Sequence, residues 1–173
     1  MGTYFLAGIY GVGKSTIGEK LSAELDIPFY SAGDLISKVN GEQYGATKVV
    51  TDKDRNQDIL AVSVSACLEK TPSILLAGHF CIVNREGGIE ELPENVFEKL
   101  QIEKIILLEA DVETIIKHLG QRDAKRYSDC IVRSLAATER MLATRIAQKL
   151  GCPLCIYQMT YTENDMLEIS AML

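Results

Sequence analysis

Residues 8–15 read Gly-Ile-Tyr-Gly-Val-Gly-Lys-Ser and directly follow TYFLA at 3–7, an apolar run that is typical of a buried strand. The stretch matches the pattern G-x-x-x-x-G-K-S/T, and residues 14–25 then follow with a helical pattern. Glycine permits tight turns and lets the backbone approach an anion, because it has no Cβ. A strand, this loop and a helix in succession therefore predict a cradle for a polyphosphate.

The side chains of this loop have distinct expected tasks. Lys14 supplies a positive charge for the β- and γ-phosphates of a nucleotide, and the Ser15 hydroxyl can bind Mg²⁺. ATP and Mg²⁺ are therefore the predicted cofactors. The residues of this stretch expected to contact ATP are Gly8, Tyr10, Gly11, Val12, Gly13, Lys14, Ser15 and Thr16.

Predicted strands and helices alternate along the chain. Strands are expected at 3–7, 27–30, 73–77, 103–109 and 153–157, and helices at 14–25, 32–39, 53–70, 111–119, 129–150 and 163–172. Continuous apolar runs such as ILLA and IILL are typical of parallel strands that are covered on both faces. The alternation predicts an α/β fold, a three-layer α/β/α sandwich around a five-stranded parallel sheet. Residues 79–93 break the pattern and predict a small hairpin outside that sheet.

Length and charge restrict the function classes. The 173 residues suit a single domain with one core. The net charge of −6 argues against a nucleic-acid partner, since nucleic-acid binders usually present a basic face. No apolar run approaches the roughly 18 residues that a membrane span needs, so no membrane partner is expected. The first residues lack the features of a secretion signal, and a cytoplasmic location is expected.

The five cysteines are odd in number and scattered, which predicts free thiols. Cys152 and Cys155 form a C-x-x-C pair, but the pair opens a predicted strand, whereas a redox pair usually opens a helix. A zinc site would need two more ligands, and the chain has two histidines, His79 and His118. Buried thiols in a strand are therefore the favoured interpretation.

In the order of its parts the chain resembles the P-loop nucleoside-monophosphate kinases, above all the archaeal-type adenylate kinases and their small bacterial relatives. The resemblance is carried by the P-loop and by two short segments, SAGD at 31–34 and AGHF at 77–80. It implies the strand order 2-3-1-4-5 and one kinase domain over 1–173, with a mobile substrate-side segment at about 31–70 and a short lid at about 120–128. It also implies transfer of the ATP γ-phosphoryl group to a nucleoside monophosphate, and it leaves an oligomer open.

The resemblance assigns roles on the acceptor side of the site. Ser31, Gly33 and Asp34 are expected to line the acceptor pocket, with Asp34 near the water shell of Mg²⁺ and therefore in the catalytic set with Lys14. His79 is expected to face the reacting phosphates, because α/β sites form just past the carboxyl ends of strands. The alternative for His79 is a structural role.

The resemblance also assigns arginines. In the charged stretch GQRDAKR, Arg122 and Arg126 are expected to act catalytically by closing over the phosphates, and Arg122 to stack on adenine. The alternative is a solvated basic loop. Arg145 flanks the apolar stripe of the long helix and is a candidate for contact with an acceptor phosphate, the alternative being an arginine at the edge of the core. That stripe is predicted from Ile131, Leu135, Leu142 and Ile146.

Two departures from the family pattern leave alternative functions open. Ser37 stands where long-lid members have arginine, and Ala77 stands where the third strand usually ends in aspartate, a place that Asp34 or Glu109 can fill. One alternative is an ATP-dependent switch or ATPase without a small acceptor. The other is a small-metabolite kinase of the shikimate or gluconate type, whose hydroxyl acceptor would call for a base such as Asp34.

Overall fold

The computed structural model describes residues 2–40, 53–84, 86–123 and 127–173, without the side chains of 40, 53–55, 122 and 123. Within these residues the strands are β1 Thr3–Ala7, β2 Phe29–Ser31, β3 Ile74–Ala77, β4 Cys81–Val83, β5 Ile89–Glu91, β6 Ile102–Glu109 and β7 Leu154–Gln158. The helices are α1 Lys14–Leu25, α2 Ala32–Asn40, α3 Lys53–Leu68, α4 Glu94–Glu98, α5 Val112–Asp123, α6 Asp129–Leu150 and α7 Asn164–Ser170.

Five strands form one parallel sheet in the order β2-β3-β1-β6-β7. Strands β4 and β5 stand apart as an antiparallel hairpin, so the sheet strands taken in chain order run 2-3-1-4-5. The predicted α/β fold, the strand order and the hairpin are therefore confirmed. Strand β1 is central, and its carboxyl end leads directly into the glycine-rich loop.

Successive side chains of β1 enter two different cores. Phe5 and Ala7 join a core that contains residues of α3, α4, α5 and α6, whereas Leu6 joins a core built with α1 and α7. Because strand side chains alternate between faces, this division shows that helices cover both faces of the sheet. Coverage on both faces also explains why the strands are continuous apolar runs.

Two expectations about the helices are corrected. The stretch 120–128 is not a loop throughout, because α5 continues to Asp123 and packs Ile115 and Leu119 into the core. At the start of α6 the buried residue is Val132 and not the predicted Ile131, which is 36% exposed and does not belong to the apolar stripe. The stripe also contains Glu139, a charged residue that the apolar pattern did not include.

Among the helices of the described residues, none combines the length and the apolar character that crossing a bilayer requires.

Candidate active site

The glycine-rich loop takes backbone conformations that favour glycine. Gly8 has φ 140° and Gly11 has φ 81°. A Cβ on Gly8 would lie 2.5 Å from the carbonyl oxygen of Leu108, and one on Gly11 would lie 3.0 Å from Cγ of Leu119. The loop is thus pressed against β6 and α5, and its shape depends on residues without a Cβ. Such a cradle fits the phosphates of a nucleotide.

Lys14 stands in the first turn of α1 and folds back over this loop. Its Nζ donates hydrogen bonds to the carbonyl oxygens of Gly8 at 2.6 Å and of Ile9 at 3.0 Å. Ser15 and Thr16, the next two residues of the helix, are exposed. Lys14, Ser15 and Thr16 therefore all belong to the first turn of α1, where the helix dipole favours anions.

A cavity of about 890 Å³ extends from the loop across the carboxyl edge of the sheet. Several predicted site residues line it, namely Tyr10, Gly11, Gly13, Lys14, Ser15, Thr16, Ser31, Gly33 and His79. On the far side from α1 its walls are mostly apolar, with Phe5, Leu60 and Phe97 among them. The structure therefore brings the phosphate cradle and the predicted acceptor segments to one cavity.

His79 lies just beyond β3 and contacts the glycine-rich loop. Its Nδ1 donates a 2.7 Å hydrogen bond to the carbonyl oxygen of Gly8 and lies 3.5 Å from Nζ of Lys14. Its ring also packs against Tyr10, with ring centroids 4.2 Å apart. Because a carbonyl oxygen can only accept, Nδ1 carries the proton, and the lone pair of the neutral ring is on Nε2.

Three other predicted groups are placed elsewhere. Asp34 is exposed in the first turn of α2 and does not line the cavity. Glu109, considered as a second acid near Mg²⁺, pairs with Arg140 at 3.2 Å. Arg145 does not line the cavity either and pairs with two glutamates at the hairpin and α4. Those pairs join Arg145 to Glu91 at 2.7 Å and to Glu94 at 2.8 Å.

The predicted lid lies largely outside the described residues. Arg126 is among the residues that the structure does not describe, and for Arg122 only the backbone, within α5, is described. Gln121, the residue before Arg122, lines the cavity. The carboxyl end of α5 therefore reaches the cavity, and the roles of the two arginines stay predictions.

A buried carboxylate beneath the loop was missed by the sequence analysis. Glu139 on α6 is 1% exposed and accepts hydrogen bonds from the backbone N–H groups of Gly8, Phe80 and Cys81. Burial raises the pKa of Glu139, while the charge of Lys14 and the N–H donors oppose that rise. The sequence did contain a signal for it. Glu139 lies four residues after Leu135 and three before Leu142, so helical periodicity puts this acidic residue on the apolar stripe.

A second buried carboxylate organises the opposite side of the loop. Asp165 on α7 accepts hydrogen bonds from the N–H groups of Thr160 at 3.0 Å and Tyr161 at 2.6 Å. Tyr161 in turn packs edge-on against His118, with centroids 4.8 Å apart, and His118 Nδ1 lies 3.0 Å from the carbonyl oxygen of Gly11. Tyr161 and His118 therefore form an aromatic wall beside the cradle.

All five cysteines are free thiols, as predicted. The expectation that Cys152 and Cys155 are buried strand thiols is wrong, because both are half-buried and Cys152 lies before β7. Cys81 is the buried member of the set, and its Sγ lies 3.3 Å from Oε2 of Glu139. Burial and the charge of Glu139 raise the pKa of the Cys81 thiol, so the thiol stays protonated.

Comparison with known proteins places this site in a family. The AAA-domain family model AAA_17 matches residues 7–135. Shikimate kinase 1 of Citrobacter koseri is 30% identical over 122 residues, which are 70% of this chain and 65% of that protein. Shikimate kinase of Zymomonas mobilis is 27% identical over 136 residues, covering 68% of this chain and 74% of that protein. The chain thus spans about two thirds of the length of such relatives.

Solved structures show the same fold. Shikimate kinase from Aquifex aeolicus has a TM-score of 0.63 at 17% identity, covering 98% of this chain and 94% of that one. A gluconokinase from Sinorhizobium meliloti has a TM-score of 0.54 at 10% identity, covering 98% and 89%. The resemblance to P-loop kinases is therefore confirmed for the superfamily, while the finer likeness to adenylate kinases is not supported.

Proposed function

The chain belongs to the AAA-domain family AAA_17, and from that premise we propose that it transfers the γ-phosphoryl group of ATP–Mg²⁺ to a hydroxyl group of a small metabolite. The observation that carries the proposal is the meeting of Lys14 and His79, 3.5 Å apart, at one cavity. In this proposal Lys14 binds the phosphates of ATP, and His79 removes the proton from the acceptor hydroxyl. The kinship with shikimate kinases supports a small-metabolite acceptor over a nucleotide.

The donor side of the proposed reaction is held by the glycine-rich loop. Backbone N–H groups at Gly11 and Gly13 and the Lys14 ammonium would hold the phosphates, and the Ser15 hydroxyl would hold Mg²⁺. Bound ATP–Mg²⁺ supplies the transferable phosphoryl group and a compensating charge. Lys14 stabilises negative charge on the phosphoryl oxygens, because its ammonium is fixed against the loop carbonyls before substrate arrives.

The acceptor side calls for a base, since a hydroxyl must lose its proton during transfer. Asp34, the base named from the sequence, is exposed and does not line the cavity. His79 lines it, and its Nδ1–H···O contact with Gly8 leaves Nε2 as the basic nitrogen of the ring. A neutral imidazole can accept a proton on this nitrogen, as a general base must. We therefore assign proton removal to His79.

A nucleoside monophosphate is the second candidate acceptor, favoured by two amides at the start of α3. Asn56 is 8% exposed, and both Asn56 and Gln57 line the cavity. The Nε2 atom of Gln57 is buried without a hydrogen-bond partner among the described residues. Since an unpaired buried donor is costly, a ligand acceptor atom such as a nucleobase nitrogen would satisfy it.

The test is an acceptor panel with ATP–Mg²⁺, in which ADP release is compared with a reaction lacking acceptor. The panel contains shikimate, gluconate and the common nucleoside monophosphates. Stimulated release with a phosphorylated metabolite supports the proposal, and a nucleoside diphosphate product supports the second candidate. Slow release that no acceptor changes contradicts both and favours an ATP-dependent switch.

A pair of lysine variants checks the donor side. Lys14→Ala is expected to lower kcat by about 10²–10³-fold, the usual cost of one preorganised charge-stabilising donor. Lys70→Ala, which removes an exposed lysine just beyond α3, serves as the matched control and keeps its activity. Activity that survives Lys14→Ala would show that phosphate is held elsewhere.

A further inference from the structure

Both backbone polar groups of Gly8 are engaged by the site. Its N–H donates to Oε1 of Glu139 at 3.1 Å, and its carbonyl oxygen accepts from Lys14 and His79. The residue after His79 closes the circuit, because the N–H of Phe80 donates to Oε2 of Glu139 at 2.9 Å. Three hydrogen bonds and the covalent backbone from His79 to Phe80 therefore form a closed ring that contains Glu139, Gly8, His79 and Phe80.

Glu139 is the member of this ring that comes from a third element. The glycine-rich loop follows β1, the segment with His79 and Phe80 follows β3, and Glu139 stands on α6. Its second oxygen also accepts from the N–H of Cys81 at 3.0 Å, where the hairpin begins. One side chain thus spans the phosphate loop and the acceptor-side segment.

We propose that Glu139 is a positioning residue that sets the separation of Lys14 and His79 and couples nucleotide binding at the loop to the acceptor-side segment. The proposal rests on the function proposed above. Glu139 acts through Gly8 and Phe80 and does not itself touch the substrates.

The chemistry favours a carboxylate at this position. Three N–H groups and the Cys81 thiol converge on two oxygens, and every one of these partners is a donor. Burying a carboxylate is unfavourable unless such donors and a nearby cation compensate it. Lys14 supplies the cation. Its charge lowers the pKa of Glu139 and so partly offsets the effect of burial, which raises that pKa. A glutamine would present an N–H₂ group to one of the two segments and would release that segment.

The direct test uses ¹⁵N-labelled protein and ADP–Mg²⁺ as the probe. In the unsubstituted chain, binding of ADP–Mg²⁺ is expected to shift the amide signals of Gly8, Phe80 and Cys81 together. In Glu139→Gln, ADP–Mg²⁺ still binds and still shifts Gly8, but the shifts at Phe80 and Cys81 fall to less than half. Equal shifts at Phe80 and Cys81 in both proteins would overturn the coupling.

Kinetics give the second readout, once the acceptor panel has identified a substrate. Glu139→Gln is expected to lower kcat by about 10²-fold, the cost of an ångström-scale misplacement, with the KM for ATP changed much less. The matched control is Asp129→Asn, which removes an exposed carboxylate from the same helix and leaves kcat unchanged. An unchanged kcat in Glu139→Gln, or an equal loss in the control, would overturn the positioning role.

The proposal can be tested even if Glu139→Gln fails to fold, and the amide measurements need no acceptor substrate. If Glu139→Gln fails to fold, Glu139→Asp keeps the charge, shortens the side chain, and is expected to show the same loss of coupling. If both variants fail to fold, amide hydrogen exchange is measured on the unsubstituted chain. ADP–Mg²⁺ is expected to slow exchange at Phe80 and Cys81, and unchanged exchange overturns the proposal.

If calorimetry finds no binding of ADP–Mg²⁺, the proposed donor site is wrong. The ring is then tested without nucleotide, because exchange at Gly8, Phe80 and Cys81 must speed up together in Glu139→Asp.

Discussion

Lys14 and His79 donate to the same carbonyl oxygen, that of Gly8, at 2.6 Å and 2.7 Å. A carbonyl oxygen has two lone pairs, and this one receives both hydrogen bonds. The shared acceptor holds the ammonium and the imidazole in fixed register before any substrate binds. The distance between the Lys14 ammonium and the His79 imidazole is therefore a property of the folded loop.

His79→Asn separates the two functions of the imidazole. The asparagine amide can donate to Gly8 in place of Nδ1 but offers no basic nitrogen in place of Nε2. Stability is expected to change little, whereas kcat with a hydroxyl acceptor falls by about 10²–10⁴-fold, the usual contribution of a general base. Urea unfolding and initial rates measure the two effects. Since a nucleoside monophosphate needs no base, an unaffected kcat would favour that acceptor instead.

Gly8→Ala is expected to destabilise the chain. The new Cβ would lie 2.5 Å from a backbone oxygen, at a residue whose φ is 140°. Overpacking of this kind typically costs about 1–3 kcal/mol, and the left-handed conformation adds about 1–2 kcal/mol. Gly120→Ala is the matched control, because nothing lies within 4 Å of its Cβ position in α5. That control should gain up to about 1 kcal/mol in denaturant unfolding, and equal losses in the two variants would contradict the prediction.

Asp165→Asn should show a pH-dependent loss of stability. Burial raises the pKa of Asp165, but hydrogen bonds from Thr160, Tyr157 and Tyr161 outweigh that effect and hold the pKa below its ordinary value of 3.8. A carboxyl whose folded pKa is lowered stabilises the fold above the ordinary pKa and loses this contribution as pH falls through the folded pKa. The variant should therefore be less stable by about 1–3 kcal/mol at pH 7, with the difference shrinking below pH 3.8. A difference that stays constant from pH 7 to pH 2 would show that ionisation of Asp165 is irrelevant.

Arg145→Ala tests whether that arginine contacts an acceptor phosphate. Its guanidinium pairs with Glu91 and Glu94 on the surface, so its loss should lower the Tm slightly at low salt and not at 1 M salt, where screening is strong. The KM for the acceptor and kcat should match those of Lys149→Ala, a neighbouring variant that also loses a pair with Glu94. A raised KM in Arg145→Ala alone would restore the contact with an acceptor phosphate that its sequence position predicts.

Most of the fold could be predicted from local pattern. The strand TYFLA, the glycine spacing and the runs ILLA and IILL each depend on neighbouring residues, and the structure confirms the parallel sheet. The order of its strands was implied by the resemblance to the P-loop kinases, and the structure confirms it as well. The element ends were less predictable. Helix α5 continues to Asp123 past Gly120, although glycine has a weak helix propensity.

The site was predicted unevenly for a related reason. The cradle is contiguous in sequence, so its glycines and Lys14 were identified together. Arg145 does not line the cavity and pairs with Glu91 and Glu94, an arrangement that depends on how α6 meets the hairpin and α4, so its contact with an acceptor phosphate stays a prediction. Asp34 was assigned from a short motif, yet at the exposed start of α2 it does not line the cavity.

The amino-acid sequence by itself determined the phosphate cradle and the parallel sheet, since a loop without Cβ atoms and continuous apolar strands follow from residues that are close in the chain. Only the tertiary structure decided which charged groups support the cradle. Glu139 lies 131 positions from Gly8. Asp165 accepts a hydrogen bond from the N–H of Tyr161, and packing places the Tyr161 hydroxyl 3.4 Å from the carbonyl oxygen of Val12 in the loop. A buried carboxylate is stable only where enough donors reach it, and the donors of Glu139 come from two distant segments that no local pattern connects to it.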